Sequence, residues 1–455
     1  MTDRLPSGSP RLDAILGGGL LANSISLIIG LPGSGKTILA QQYLFANSTR
    51  ERPGIYCPTV SESLDKMLGF VRSQAYFDRE ALGERVFYED LSQSLHAGGL
   101  PAVLDQVTGI LRERRAGLVV IDSFKALRPY APSEEGFRRF LHGLAECFAG
   151  FALSTLWVGE YGVEQLESMP EAAVADAILS LGTEQVGVRD RRVIRVLKLR
   201  GSAYLSGGHS YQITDRGLDA FPRLADPMEL GEPAAPSAVR SGIPGLDELV
   251  GGFQSGTSVL LMGPPGVGKT VLGLHFIMAG VSRGEPAIIT TFRENPSQLE
   301  RVARSFGLTL AVPGLTMLYR APVDLRLDQW VYQLLEAVEA TGTRRVLIDS
   351  LRDLSAVAWD PGSFHEYLYS LLQRLGRAGV TVVMTEESSD LFGLTAVDSP
   401  AAGVVDDVFL LHYVRRDGLW SRVVRVLKSR GRSHSSAEAP LRIIDRGLEV
   451  VPGGD

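Results

Sequence analysis

The sequence predicts an α/β fold: two tandem domains, each a mostly parallel sheet flanked by helices. Three observations carry this. Short β-rich apolar runs, such as Leu118–Ile121, Thr155–Val158, Val346–Ile348 and Val380–Met384, alternate with longer amphipathic stretches. That is the pattern of parallel strands joined by crossover helices. Segments of the first half recur in the second at an offset that stays between about 227 and 234 residues, far too long a period for a solenoid. Each half also holds one glycine-rich turn set between a strand-like and a helix-like run.

Taken in order, Ser7-Gly8, Leu12-Asp13 and Gly17-Gly18 open the first half and recur as Ser241-Gly242, Leu246-Asp247 and Gly251-Gly252. The strand-like run Ile25–Ile29 then leads into Gly30-Leu31-Pro32-Gly33-Ser34-Gly35-Lys36-Thr37. Its counterpart, Val259–Met262, leads into Gly263-Pro264-Pro265-Gly266-Val267-Gly268-Lys269-Thr270. Both turns match G-x-x-x-x-G-K-[ST] in full, and helix-like runs Thr37–Phe45 and Thr270–Ile277 follow them. This is the context of a P-loop. Its glycines let consecutive backbone N–H groups turn inward around phosphate oxygens, and the helix start adds a partial positive charge there. Gly30, Pro32, Gly33, Ser34 and Gly35 are the expected cradle in the first half, and Gly263, Pro265, Gly266, Val267 and Gly268 in the second. Lys36 and Lys269 would reach the β/γ-phosphates of ATP, and Thr37 and Thr270 would ligate Mg²⁺.

Leu118-Val119-Val120-Ile121-Asp122 and Val346-Leu347-Ile348-Asp349 are buried-strand patterns ending in a carboxylate. Downstream of a P-loop this is the Walker-B form, so Asp122 and Asp349 are expected to orient Mg²⁺ at the sheet edge. Hydrolysis also needs a group that orients or deprotonates water. The candidates are Glu62 and Glu294, in the recurring segments Thr59-Val60-Ser61-Glu62 and Thr291-Phe292-Arg293-Glu294, with further carboxylates at Glu160 and at Glu386-Glu387. Lys198-Leu199-Arg200 and Lys428-Ser429-Arg430 put two cations at i, i+2, on one face of a strand, where both can act on one anion. Completing a neighbour's site, they would behave as arginine fingers. The halves close with Ile213–Leu218 and Ile443–Leu448. A stretch with Pro227, Pro233 and Pro236 and no apolar periodicity reads as a linker over 224–239. It leaves domains at 1–223 and 240–455.

The chain has 455 residues, 22% of them charged, and a net charge of −6. Its pI of about 5.8 weighs against a constitutive nucleic-acid coat. The first residues contain no apolar signal segment, and no apolar run approaches membrane-spanning length. Two cysteines, Cys57 and Cys147, form no metal-binding spacing; they fit a reducing cytosol and read as packing residues. A cytoplasmic protein is expected. His209 and His434 read as surface-loop residues.

The chain resembles the KaiC family of RecA-like ATPases. The residues that carry this are the S-G-x-x-x-L-D-x-x-x-G-G entry, both P-loops, the T-F-x-E-[NS] segment, the I-D-S strand ends, the K-x-R-G segments and the I-x-D-x-G-L ends. The resemblance covers nearly the whole chain. It implies two tandem RecA-like domains and a homo-oligomer, a hexamer with ATP between subunits. Lys198, Arg200, Lys428 and Arg430 would then act in trans. Three departures shape the expected activity. The family's paired glutamates read here as Ser61-Glu62 and Arg293-Glu294. Ser61 is no base at neutral pH, and Arg293 would favour phosphate or pair with a carboxylate, so slow hydrolysis or binding without turnover is expected. Clock members of the family autophosphorylate adjacent Ser and Thr residues; alignment of Asp406–Tyr413 places Ala402-Gly403 there, with no hydroxyl. Ser399 or Thr395 could substitute only if the loop moves. The sequence given ends at Asp455, without the long tail those members use to engage an activator, so an oscillator of that design is not expected. The reading is a slow Mg²⁺·ATP-dependent oligomeric switch with a protein partner that the sequence does not name. Its rivals are a serine/threonine kinase of the same fold, a DNA-acting RecA-like motor, and a scaffold in which ATP is purely structural.

Overall fold

A computed structural model describes the chain except residues 1–2, 60–63, 187–188, 225–234, 236, 251, 359–360, 393–398, 417, 433, 435–436, 445–446 and 452–455. Packing divides it into two units, Met1–Asp226 and Pro227–Asp455. Each builds its own nine-stranded sheet.

In the first, the strands run from one edge as Gly217–Phe221, Gly208–Thr214, Arg189–Leu199, Ala177–Val186, Ile25–Gly30, Ser154–Gly159, Leu118–Asp122, Gly54–Pro58 and Val86–Tyr88. The six strands from Ala177–Val186 to Val86–Tyr88 are parallel, and the tail strands add antiparallel hairpins. The second unit has the same order, read from the opposite edge: Leu315–Tyr319, Ala287–Thr291, Arg345–Asp349, Thr381–Glu387, Ser258–Gly263, Asp407–Arg416, Leu419–Ser429, Ala439–Ile444 and Gly447–Val450. The expected fold class is the observed one. All six residues of Ile25–Gly30, and of Ser258–Gly263, are buried, as befits a central strand covered on both faces.

The helices begin where local chemistry allows. Glu134–Gly150 starts at Ser133, whose side chain accepts from Gly136 N, and carries Glu134 and Glu135 in its first turn. Both features offset the open N–H groups of a helix start. Pro296–Ser305 uses a capping box between Asn295 and Gln298. The helices after the P-loops, Lys36–Asn47 and Lys269–Val281, have no side-chain cap at all. Their first N–H groups remain available to an anion.

Helix Glu134–Gly150 buries Phe137, Phe140, Leu141, Leu144 and Phe148 against one face of the first sheet. On the same face Trp157 is fully buried, stacked on Phe124 with ring centroids 4.1 Å apart. Trp157→Ala is expected to cost about 3–5 kcal/mol, through lost burial and the cavity left behind. A denaturant titration checks it; an unmoved midpoint would contradict this packing.

Three local expectations are revised. His209 is not a surface-loop residue: it is fully buried in Gly208–Thr214. Arg223 N donates to its Nδ1 at 3.0 Å, and Nε2 lies 3.0 Å from Leu205 O. Both ring nitrogens are thus used as a strand-to-loop staple, and burial without such partners would be costly. His434 is exposed. Cys57 is buried but Cys147 only partly. Arg200 and Arg430 lie one residue beyond their strands, Arg189–Leu199 and Leu419–Ser429, so neither pair lies wholly on a strand face. Among the described residues, no helix is long and apolar enough to cross a membrane.

Candidate nucleotide site

Each P-loop leaves the C-terminal end of its central strand. At Gly30 (φ 152°) a Cβ would stand 2.1 Å from Leu181 O, and at Gly263 (φ 156°) 2.3 Å from Leu411 O. Only glycine lets the chain turn that close to the neighbouring strand. Gly35 (φ 91°) and Gly268 (φ 116°) are left-handed at the helix N-caps. Pro32, Gly33, Pro265 and Gly266 complete the two loops. The Ser34 hydroxyl is buried with no hydrogen-bond partner among the described residues, while Tyr211 donates to Ser34 O at 2.5 Å. Val267 is fully buried and packs in the second core.

The lysines fold back over their own loops. Lys36 Nζ donates to Leu31 O at 2.9 Å; Lys269 Nζ donates to Gly263 O and Pro264 O at 2.7 and 2.9 Å. Burial lowers both pKa values, opposed by Glu160 and Asp122 in the first domain and by Glu387 and Asp349 in the second. By sheet register Glu160 and Glu387 are equivalent, so each lysine faces the same pair of carboxylates.

Thr37 Oγ1 donates to Asp122 Oδ2 at 2.7 Å, and Thr270 Oγ1 to Asp349 Oδ2 at 2.8 Å. The motif residues therefore meet in both domains. What holds the carboxylate differs. In the first, Tyr56 OH donates to Asp122 Oδ2 at 2.7 Å from the strand Gly54–Pro58. In the second, the register puts Ile289 at that place, and Thr385 Oγ1 instead donates to Asp349 Oδ1 from the other side. The first domain has Val158 where Thr385 stands. Burial raises the pKa of Asp122, against the hydrogen bonds from Tyr56 and Thr37. Both Asp-Ser peptides after these strands, Asp122-Ser123 and Asp349-Ser350, are cis.

The second domain's P-loop opens into a cavity of about 400 Å³ lined by Lys269, Thr270, Arg293, Glu294, Asp349 and Asp353 among others. One oxygen of Glu294, Oε2, is buried without a hydrogen-bond partner among the described residues; burial, then Asp349, raises the carboxyl pKa. Arg293 resolves to carboxylates: its Nε donates to Asp353 Oδ1 at 2.9 Å and its Nη1 lies 3.6 Å from Glu387 Oε1. Arg352 also holds Glu387, at 2.8 Å. Glu386 accepts from Ser399 at 2.6 Å. Ser61, Glu62 and Thr395 lie outside the described residues.

The Lys–Arg pairs do not join their own P-loops. Lys198 is paired with Ile178, which the sheet aligns with Leu27, and Lys428 with Val408, aligned with Leu260. Both stand three residues, about 10 Å along the strand, before the P-loop glycine. Lys198 Nζ donates to Ala172 O at 3.0 Å, while Arg200 Nη1 pairs with Asp176 at 3.4 Å. Lys428 Nζ donates to Ala402 O and Val405 O at 2.8 and 2.7 Å, and Arg430 to Gly403 O at 3.0 Å. Within the chain Lys198, Lys428 and Arg430 are tied to backbone carbonyls of short helices and Arg200 to the Asp176 carboxylate.

Tyr56, Thr385 and Asp353 belong to no motif. Only the register across the sheet, or the first turn after the Walker-B strand, brings them to the site.

A P-loop at the C-terminal end of a central parallel strand, with a carboxylate ending the strand two places away, defines a RecA-like P-loop ATPase fold. The KaiC ATPase family model matches residues 5–225, 239–313 and 318–455, and the chain belongs to that family. It is 27% identical over 463 residues to the circadian clock oscillator protein KaiC of Picosynechococcus sp., covering 96% of this chain and 88% of that protein. The Synechococcus elongatus protein of the same name is 27% identical, with 96% and 87% covered. The circadian clock protein KaiC3 of Synechocystis sp. is 26% identical, with 98% and 92% covered.

Proposed function

We propose that the chain is a slow Mg²⁺·ATP-dependent ATPase that acts as an oligomeric nucleotide switch. The observation that carries this is the pairing of the P-loop threonine with the Walker-B carboxylate at 2.7 and 2.8 Å in both domains. A hydroxyl beside a carboxylate suits a hard cation that keeps waters and phosphate oxygens as its other ligands. Among the described residues no three-ligand acid or histidine cluster gathers. Mg²⁺, when bound, would neutralise phosphate charge between Thr37 or Thr270 and Asp122 or Asp349.

The chain's own groups do the rest. The uncapped helix starts and the loop N–H groups hold the phosphates. Lys36 and Lys269 leave their loop carbonyls for the β/γ oxygens. Glu294, and Glu62 in the first domain, orient the attacking water. Hydrolysis is slow because Ser61 and Arg293 stand beside them where a second carboxylate would be. Lys198 with Arg200, and Lys428 with Arg430, bind groups outside their own P-loops, which supports action on a neighbouring copy's γ-phosphate. The assembly is then a homo-oligomer, with a six-membered ring as the expected form, in the cytoplasm. Its acidic balance speaks against a nucleic-acid motor, and the missing hydroxyls at Ala402-Gly403 against autophosphorylation there.

The test follows γ-labelled ATP with the purified chain and Mg²⁺, counting free phosphate and protein-bound label together. Slow phosphate release without label on protein supports the reading. Label on Ser or Thr would make it a kinase, and tight binding with no release would make ATP a structural ligand.

A further inference from the structure

Arg293 and Asp353 are present together in one domain and absent together from the other. In sequence the first domain carries neither: Thr59-Val60-Ser61-Glu62 has no cation where Thr291-Phe292-Arg293-Glu294 has Arg293, and Ala126 stands four residues after Asp122 as Asp353 does after Asp349. Asp353 is a buried carboxylate, held by Ser350 Oγ at 2.8 Å and by Arg293 Nε at 2.9 Å. A buried charge is retained at a cost unless paired and hydrogen-bonded. Here its partner is a guanidinium that is half exposed and opens into the P-loop cavity.

The geometry of that pair matters. Nε is the atom committed to Asp353; the terminal nitrogens of Arg293 make no hydrogen bond among the described residues, although Nη1 stands 3.6 Å from Glu387. A guanidinium anchored through Nε presents its outer fork to an incoming anion, and that fork matches two phosphate oxygens. Glu387 can give up Arg293 because it keeps Arg352 at 2.8 Å. The cavity thus offers a second cation in cis besides Lys269.

We infer that Arg293, positioned by Asp353, is a cis ligand for the γ-phosphate that makes the second domain select triphosphate over diphosphate nucleotide and retain it. This rests on the proposed reading of the P-loop cavity as a nucleotide site.

The test uses the full chain with Lys36→Ala in every sample, so that binding reports the second domain. Affinities for ADP and for a non-hydrolysable ATP analogue are measured with Mg²⁺. The parent is expected to prefer the triphosphate. Arg293→Gln is expected to lower that preference about tenfold or more, the loss of a charge-assisted hydrogen bond, with ADP affinity unchanged. Arg293→Lys, which keeps charge but not the fork, is expected to recover part of it. Asp353→Asn is expected to lower the preference only while Arg293 is present. Bound ADP shows that each variant folds. An unchanged preference in Arg293→Gln overturns the inference alone. Failure of the parent to bind either nucleotide overturns the nucleotide-site reading as well.

Discussion

Alanine at Lys36 is expected to cut the first domain's phosphate release by roughly 100-fold or more, and alanine at Lys269 to do the same in the second, the scale set by removing one donor aimed at developing charge. In the structure each lysine is parked on its own loop, on Leu31 O or on Gly263 O and Pro264 O. These carbonyls are weak, neutral partners that a phosphate oxygen replaces with a stronger, charge-assisted bond. Without the lysine, triphosphate would meet Asp122 and Glu160, or Asp349 and Glu387, with one fewer compensating cation. Each single variant leaves the other domain's share of turnover, and the double variant leaves none. Steady-state phosphate release checks this; undiminished release from the double variant would show that the P-loops do not carry the reaction.

A second large effect is expected at Lys198 and Arg200. Removing both should abolish the first domain's turnover by roughly 1000-fold, as for an arginine finger, while bound nucleotide remains. Mixing that variant with Lys36→Ala, itself inactive in this domain, should restore phosphate release. Interfaces then form in which one copy supplies the intact P-loop and its neighbour the intact cations. Rescue would require two copies because Lys198 stands about 10 Å along the strand from its own P-loop. A mixture no more active than its components would place the pair in a purely structural role, as the ties of Lys198 to Ala172 O and of Arg200 to Asp176 already permit.

The sheets and loops are legible because they depend on local pattern. An apolar run long enough to cross a covered sheet, a glycine turn and an uncapped helix start are all contiguous in sequence. The strand ends Asp122 and Asp349 are legible for the same reason. Arg293 is half legible: its charge is plain, but the choice between phosphate and carboxylate depends on Asp353, sixty residues on, and on Glu387 across the sheet. Tyr56 and Thr385 are not legible, because nothing local says which side chain of a neighbouring strand will stand beside the carboxylate. His209 misleads for a related reason. A histidine between glycine and serine looks like a loop residue until the pairing of Gly208–Thr214 with Arg189–Leu199 buries it.

The opposite supports of Asp122 and Asp349 carry an evolutionary consequence. Two copies that began alike now steady one carboxylate with a phenol from one flank and with a threonine hydroxyl from the other. Converting either arrangement into the other takes two substitutions, at Tyr56 and Val158 or at Ile289 and Thr385. Their order is not interchangeable. Losing the old support first leaves a half-buried acid with one tether, whereas gaining the new one first passes through a doubly supported intermediate. Exchanging the two arrangements would therefore show epistasis, with the order that gains the new support first costing less.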